Sequence, residues 1–387
     1  MDFEATRDAA RRRLETFLPR AGRTYAARRN FDLPGHEHVS GLSPYVRHRL
    51  ITEEEVLTAT LNRHSADAAE KFVQEVFWRT YWKGWLEMRP SVWTGYRAEL
   101  RGAFNRVQTE AGLRSEWEAA CSGETGIDCF DHWARELVET GYLHNHARMW
   151  FASIWIFTLR LPWTLGADFF LRHLLDGDPA SNTLGWRWVA GLQTPGKTYL
   201  ARPDNIERFT GGRFRPSGLA SIAVPLHGPE NPPAGPVPQT AAWDPGKPTA
   251  LVLHEDDPDP GWLLAQGLAP EVTIVMNATA DRSPLTVSPS VRTFSRGVFD
   301  DILSRHSGQL GDIRDVERAD LTGIPQLVAP YAPQGPARDA LDSFDRPVAL
   351  MVRPYDAMAW PHATAGFFKF KARIPKLISM LGRCGDA

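Results

Sequence analysis

The stretch LLDGDPASNTLGWRWVAG, residues 174–191, sets two carboxylates (Asp176, Asp178), an amide (Asn182) and two indoles (Trp186, Trp188) in one loop and the helix after it. Polar loops seldom carry two tryptophans, and indoles, besides filling cores, stack on planar ligands or carry electrons. Asp-Gly is also ordinary turn chemistry, and core packing accounts for many tryptophans. Two apart on a helix, Trp186 and Trp188 face different directions. A second stretch, EVFWRTYW, puts Glu75, Trp78, Arg79 and Trp82 on one helical face, either an amphipathic rim or the wall of a pocket. In GYLHNHARMWF, Asn145 and Met149 are helical neighbours with Arg148 adjoining. His144 and His146 point apart, so they form no helical zinc pair and read as surface or core histidines. HVSGLSPYVRHRL supplies a capping hydroxyl, Ser43, with Pro44 as a first-turn proline and the flexible Gly41 beside it. Such a helix start binds phosphate, although capping by itself accounts for the serine.

These groups need long helices to carry them, and the chain before residue 216 supplies the pattern. EKFVQEVFWRTYWKGWLEM, CFDHWARELVETG, LHNHARMWFASIWIFTLRL and LGADFFLRHLL repeat apolar residues at three and four positions, which predicts helices. Residues 216–247 are rich in proline and glycine and read as a linker between a helical domain, 1–215, and a second domain, 248–387. In the latter, TALVLHED, EVTIVMNA, IPQLVAP and PVALMVRP read as strands alternating with the helices GVFDDILSRHSG and PARDALDSF, a smaller α/β domain with a parallel, Rossmann-like sheet. No glycine-rich phosphate fingerprint follows any of these strands.

The 387 residues carry a net charge of −2, with 43% hydrophobic and 23% charged residues, an ordinary globular composition. Any DNA contact must then come from a local basic face, for which Arg29, Arg79, Lys83, Arg187 and Lys197 are candidates. Three cysteines, Cys121, Cys129 and Cys384, lack metal-ligand spacing and exclude a four-cysteine cluster within one chain. The most apolar stretch is too short to span a bilayer, and the N-terminus lacks a signal-peptide core. A cytoplasmic location without membrane attachment is expected. Tryptophan is the anomaly: eleven of the 14 precede residue 190.

From Tyr25 to about Phe209 the order and spacing of SGLSPY, EVFWRTYW, TGYLHNHARM and DGDPASNTLGWRW resemble the FAD-binding domain of the DNA photolyase/cryptochrome family. The resemblance implies a helical domain holding FAD. It implies that Tyr25 and the loop Val39, Ser40, Gly41, Leu42 and Ser43 contact its phosphates and ribityl chain. Asp176, Gly177 and Asp178 would follow the isoalloxazine edge, Arg148 would pair with Asp176, and Asn182 would face flavin N5. Glu75, Trp78, Asn145, Met149 and Trp188 match positions that contact a cyclobutane pyrimidine dimer, with Arg29, Arg79 and Trp82 nearby on the DNA side. Two indoles would stack on the flipped dimer, while a protonated Glu75 and the Asn145 amide would donate to its carbonyls.

Trp186 and Trp163 match the two inner members of an electron-transfer chain. The third has no counterpart at its usual position before Cys121, where Trp117, Trp150 or Trp155 are the substitutes. Val39 and Gly41 stand where the family has threonine and arginine. The α/β pattern follows the helical domain rather than preceding it. It is either a relocated antenna-like domain or an unrelated module able to meet a protein partner, and its first strand gives no support for an antenna chromophore. Two functions are therefore expected: light-driven repair of pyrimidine dimers in DNA, a carbon–carbon lyase reaction, or a cryptochrome-like blue-light receptor that signals through a partner and repairs nothing.

Overall fold

The computed structural model describes residues 2–316 and 320–381; Cys384 lies outside them. The helical layer comprises α1 (Arg7–Phe17), α2 (Arg23–Arg28), α3 (Ser43–Arg47), α4 (Glu53–Arg63), α5 (Ala66–Glu87), α6 (Pro90–Thr109), α7 (Ala111–Ser122), α8 (Asp128–Thr140), α9 (Asn145–Ser153), α10 (Trp163–His173), α11 (Pro179–Val189) and α12 (Pro203–Phe209). Local chemistry sets their ends. Thr52 and Glu55 form a reciprocal capping box on α4. Gly141, at φ +68°, closes α8 in the left-handed conformation that glycine adopts without a Cβ penalty. Residues 154–158 form a wide π-turn that continues α9 and presses Trp155 edge-on to Trp186.

The second unit is a five-stranded, all-parallel sheet in the order β3-β2-β1-β4-β5, with β1 (Thr249–His254), β2 (Val272–Met276), β3 (Asp312–Asp315), β4 (Gln326–Pro330) and β5 (Val348–Met351). Every residue of β1 is buried, as a central parallel strand covered on both faces must be. The helices α13 (Gly261–Ala265), α14 (Pro289–Arg305) and α15 (Pro336–Asp342) connect the strands. Strand β3, the polar tetrapeptide DIRD at the sheet edge, has no apolar run by which a sequence pattern would announce it.

The two units share more contact than a linker between independent domains implies. Residues 216–247 form no helix or strand, yet they are tied down along both units. Leu226 N–H donates to Ala190 (3.0 Å), Gly235 N–H to Met88 (2.8 Å) and Ala241 N–H to Leu350 (2.9 Å). Beyond β5, α16 (Pro354–Ala359), α17 (Phe367–Lys371) and α18 (Ile374–Ile378) return to the helical layer, where Tyr355, Phe367, Phe370 and Leu377 join its core. Helix α14 packs against α1 and α3 through Val291, Phe294 and Val298.

The charged part of this junction is a seam between residues 47–49 and the acidic turn after β1. Arg47 pairs with Asp256 (2.5 Å), His48 Nδ1–H donates to the Glu255 carbonyl (2.9 Å), and Arg49 meets both Asp257 and Asp356. Arg353 adds two hydrogen bonds of 2.6 Å to Asp257. Arg49 has φ +49°, a left-handed backbone that costs a non-glycine residue energy unless its surroundings hold it. Two buried carboxylates do so.

Asp257→Ala leaves Arg49 and Arg353 without a shared buried partner. Unfolding free energy measured in urea is expected to fall by about 3 kcal/mol; a loss below about 1 kcal/mol would contradict the structural role of the seam.

Candidate functional site

A cavity of about 750 Å³ opens between α2, α5, α9, α11 and α12. Tyr25, Arg29, Val39, Ser43, Glu75, Trp78, Arg79, Trp82, Asn145, Arg148, Met149, Asp176, Gly177, Asp178, Asn182, Trp186 and Trp188 all line it. Ser40, Gly41 and Leu42 are not among its walls.

The turn 176–178 forms one wall. Asp176 accepts two hydrogen bonds from Arg148 (3.0 and 2.8 Å), while Arg148 Nε donates to Leu143 (3.0 Å), so the carboxylate is locked in place. Asp178 caps α11, accepting from Ser181 N–H (2.7 Å) ahead of Pro179 in the first turn. Burial alone would raise its pKa, but the positive charges of Arg79, Lys83 and Arg47 outweigh burial and hold it well below the usual carboxylate range. Asn182 donates from Nδ2 to the Ala167 carbonyl (2.8 Å), and among the described residues no donor occupies its Oδ1, which is left as an acceptor.

Trp186 is buried, packed edge-on against Phe170 at 5.1 Å, and its Nε1–H has no protein partner. Gly166 makes room for it: a Cβ there would stand 2.3 Å from the indole. Trp188 lies beside Tyr199 at 5.8 Å, and Trp78 stacks face to face on Phe367 of α17 at 3.5 Å. The expectation that Trp186 and Trp188 face apart is met in degree only. One is sunk in the core and the other half-exposed, but both reach the same cavity.

Several expectations are corrected. Ser43 is the first residue of α3 rather than its cap; Leu42 holds the cap position, and no side chain caps this five-residue helix. Ser40 instead accepts from Leu42 N–H (3.3 Å), and Gly41 takes φ +62°. Three of the five cations assigned to a basic face are interior. Arg79 bonds Glu53 (3.0 Å) and pairs with Asp178 (3.3 Å), and Lys83 and Arg187 are buried. Arg29 is bound to Glu75, whose Oε1 accepts its hydrogen bond. Trp163 is outside this cavity. It lines a separate groove, donates to Glu99 (2.8 Å) and lies 5.6 Å from Tyr96. Of the substitute tryptophans, Trp155 touches Trp186 at 6.2 Å, whereas Trp117 packs on Phe104.

His146 is the residue that spacing misjudged. It lines the cavity, stacks on Trp150 at 3.9 Å and bonds Asn30 O (3.0 Å) and the Tyr199 hydroxyl (3.1 Å). Its position, three before Met149, is the signal that put it on this face. Tyr199, Asn205 and Phe209 also line the cavity, and they come from the less regular chain after α11, where no period marked them.

The site is thus a cavity with fixed acceptors and arginines along one wall and flat aromatic walls at its mouth. Its volume suits a dinucleotide-sized cofactor, and Asn182 on its wall keeps an Oδ1 that no protein donor occupies among the described residues. Such a set defines a helical cofactor-binding domain for a large heteroaromatic group. Residues 72–210 match the family model described as the FAD binding domain of DNA photolyase. The chain is 28% identical over 228 residues to a deoxyribodipyrimidine photo-lyase of Vibrio cholerae, covering 56% of this chain and 45% of that protein. It is 34% identical over 189 residues to the one of a Synechococcus species, covering 47% and 38%. A bacterial class III photolyase from Agrobacterium tumefaciens superimposes with a TM-score of 0.44 at 28% identity, over 53% of this chain and 43% of that one. Over residues 72–210 of its helical layer the chain is similar to the FAD-binding domain of DNA photolyases. It spans less than half the length of these curated relatives.

His144 gives the site a pH signature. It caps α9 by accepting from His146 N–H (3.1 Å), and burial, with His36 and His146 nearby, lowers it to about 3. An unfolded imidazole titrates near about 6.5. Between those values the unfolded chain holds a proton that the native one refuses, so stability falls as pH drops below 6.5. His144 alone should lose about 2 kcal/mol between pH 7 and pH 5. His144→Asn keeps a capping acceptor and removes this contribution, so its urea midpoint should fall less than the parent's over that range. Equal falls would contradict the assignment.

Proposed function

We propose that the cavity holds FAD and that the protein repairs cyclobutane pyrimidine dimers in DNA under blue light. The observation that carries the reading is a single cavity with a cofactor-type polar wall at its base and two half-exposed indoles with a free amide at its mouth. Bound there in its reduced form, FAD would supply, on absorbing a blue photon, the electron needed to split the cyclobutane ring, and that electron would return to it.

The chain's own groups do the rest. Tyr25, Val39 and Ser43 serve the phosphate and ribityl end. Arg148 holds Asp176, and Asp178 is held by Arg79, so that both carboxylates meet the heterocycle's N–H groups in fixed positions. Asn182, oriented by Ala167 O, offers Oδ1 to a ring N–H. Trp78 and Trp188 provide flat walls for two covalently linked neighbouring pyrimidines turned out of the helix. The Asn145 amide, exposed at the start of α9, donates to a pyrimidine carbonyl as negative charge builds there. Glu75, held by Arg29 through Oε1, faces the same pocket and offers its other oxygen to the dimer, with Arg29 as the positively charged donor beside it. Met149 and Trp82 complete an apolar lining that excludes water. Trp186 and Trp163 lead electrons toward the flavin from the groove by Tyr96.

DNA contact falls to the rim. Arg28, Lys197 and Arg208 are exposed next to cavity residues Arg29, Tyr199 and Phe209, and Arg208 lies over Phe209. Cations of this kind bind phosphates in a salt-dependent manner.

The test is repair of a thymine-dimer oligonucleotide by the chemically reduced, FAD-loaded protein, in blue light and in darkness. Repair should require light. Trp188→Ala should weaken dimer binding by about 1–3 kcal/mol while retaining the flavin. A bound flavin that responds to light without any repair would overturn the proposal and leave the photoreceptor reading.

A further inference from the structure

The α/β unit sends one side chain to the underside of the proposed flavin wall. Arg282 ends the single helical turn, residues 278–282, that follows β2. A side chain at position 177 would come within 3.2 Å of Arg282 Nη1, and within 3.0 and 3.1 Å of the Leu174 and Leu171 carbonyls. Glycine at 177 is what lets the guanidinium approach the 176–178 turn so closely.

Other arginines of this region each have a carboxylate: Arg47 has Asp256, Arg79 has Glu53 and Asp178, and Arg148 has Asp176. Arg282 does not. Its Nε, Nη1 and Nη2 are all buried without a hydrogen-bond partner, and no described carboxylate lies within 4.0 Å. Glu255, Asp256 and Asp178 act on it from farther away, while Arg47 opposes it. Burial lowers its pKa to about 10, which leaves it charged at neutral pH. Desolvating an unpaired cation is costly, and a fold that only needed to fill this space would do so with apolar atoms. A buried charge that no contacting carboxylate pairs projects part of its field into the adjacent low-dielectric cavity.

We propose that Arg282 is a positioning residue of the flavin site, whose positive charge beneath Gly177 favours the reduced, anionic flavin over the oxidised, neutral one. The inference rests on the reading of the cavity as an FAD site. The couple is FAD + 2 e⁻ + H⁺ → FADH⁻, with electrons from an added reductant. Charge placed near the ring system is a general means by which a protein tunes a flavin.

The experiment is a potentiometric titration of the full FAD-loaded chain with dithionite at pH 8. In Arg282→Gln the ratio of oxidised to reduced flavin at a fixed potential should rise about tenfold. Arg282→Lys, which keeps the charge, should stay within about threefold of the parent. Glu255→Gln removes a carboxylate from the same cluster and should shift the ratio the opposite way, which carries the test if Arg282→Gln fails to fold. Equal shifts in the glutamine and lysine variants, or a ratio indifferent to residue 282 with flavin bound, would overturn this inference alone. A parent chain that binds no flavin would overturn the cavity reading and this inference with it.

Discussion

The structure depends on a buried seam of arginines and carboxylates. In doubly wound sheets the crevice beyond the carboxyl ends of the strands, where the strand order reverses, is the ordinary ligand site. Here β1 lies at that reversal, between β2 and β4, and the acidic turn after it is occupied by protein. Arg47 and Arg49 from the helical layer enter it and meet Asp256, Asp257 and Asp356. Taking these charges out of water is unfavourable, and only close pairing offsets it. The seam therefore demands one relative arrangement of the two units. It also reaches the cavity, because Arg47 Nε donates to the Gly177 carbonyl (2.8 Å).

The charge chain continues from there. Asp178 sits within the field of Arg79, Lys83 and Arg47, and Arg79 reaches Glu53, itself beside Arg49. A cavity wall and an interdomain junction are thus one electrostatic object. This gives the α/β unit a physical role that needs no chromophore of its own: it braces residues 176–178 from behind. The C-terminal helices add a second brace, since Phe367 backs the Trp78 indole and Phe370 and Tyr355 pack on α5.

Much of this was legible in the sequence, and for reasons that differ by element. Helices α5, α8, α9 and α10 declared themselves by apolar period, and β1, β2, β4 and β5 by short apolar runs. The cavity wall at 174–191 was visible because its residue types are unusual together. Apart from Arg148 and Asp176, paired on the strength of the family resemblance, charge partners were not visible. Arg79, Lys83 and Arg187 carry the same letters as surface cations, and only the fold shows that carboxylates and the core receive them. Arg47 and Asp256 are some 200 residues apart, so no local pattern links them. His146 was misjudged because its role depends on Trp150, Asn30 and Tyr199 arriving from separate segments. The return of residues 354–378 to the helical layer was hidden for a similar reason: short helices bury their faces against a surface that exists only after folding.

The most direct test of the central claim is a titration of the purified, flavin-free chain with FAD, followed by flavin fluorescence and absorbance. The account predicts one FAD per chain, with fluorescence quenched on binding by the adjacent Trp186, and with Trp186→Phe retaining the stoichiometry but losing much of the quenching. Binding that saturates at no defined stoichiometry, or one FAD per chain whose fluorescence is as bright as in solution, would contradict it.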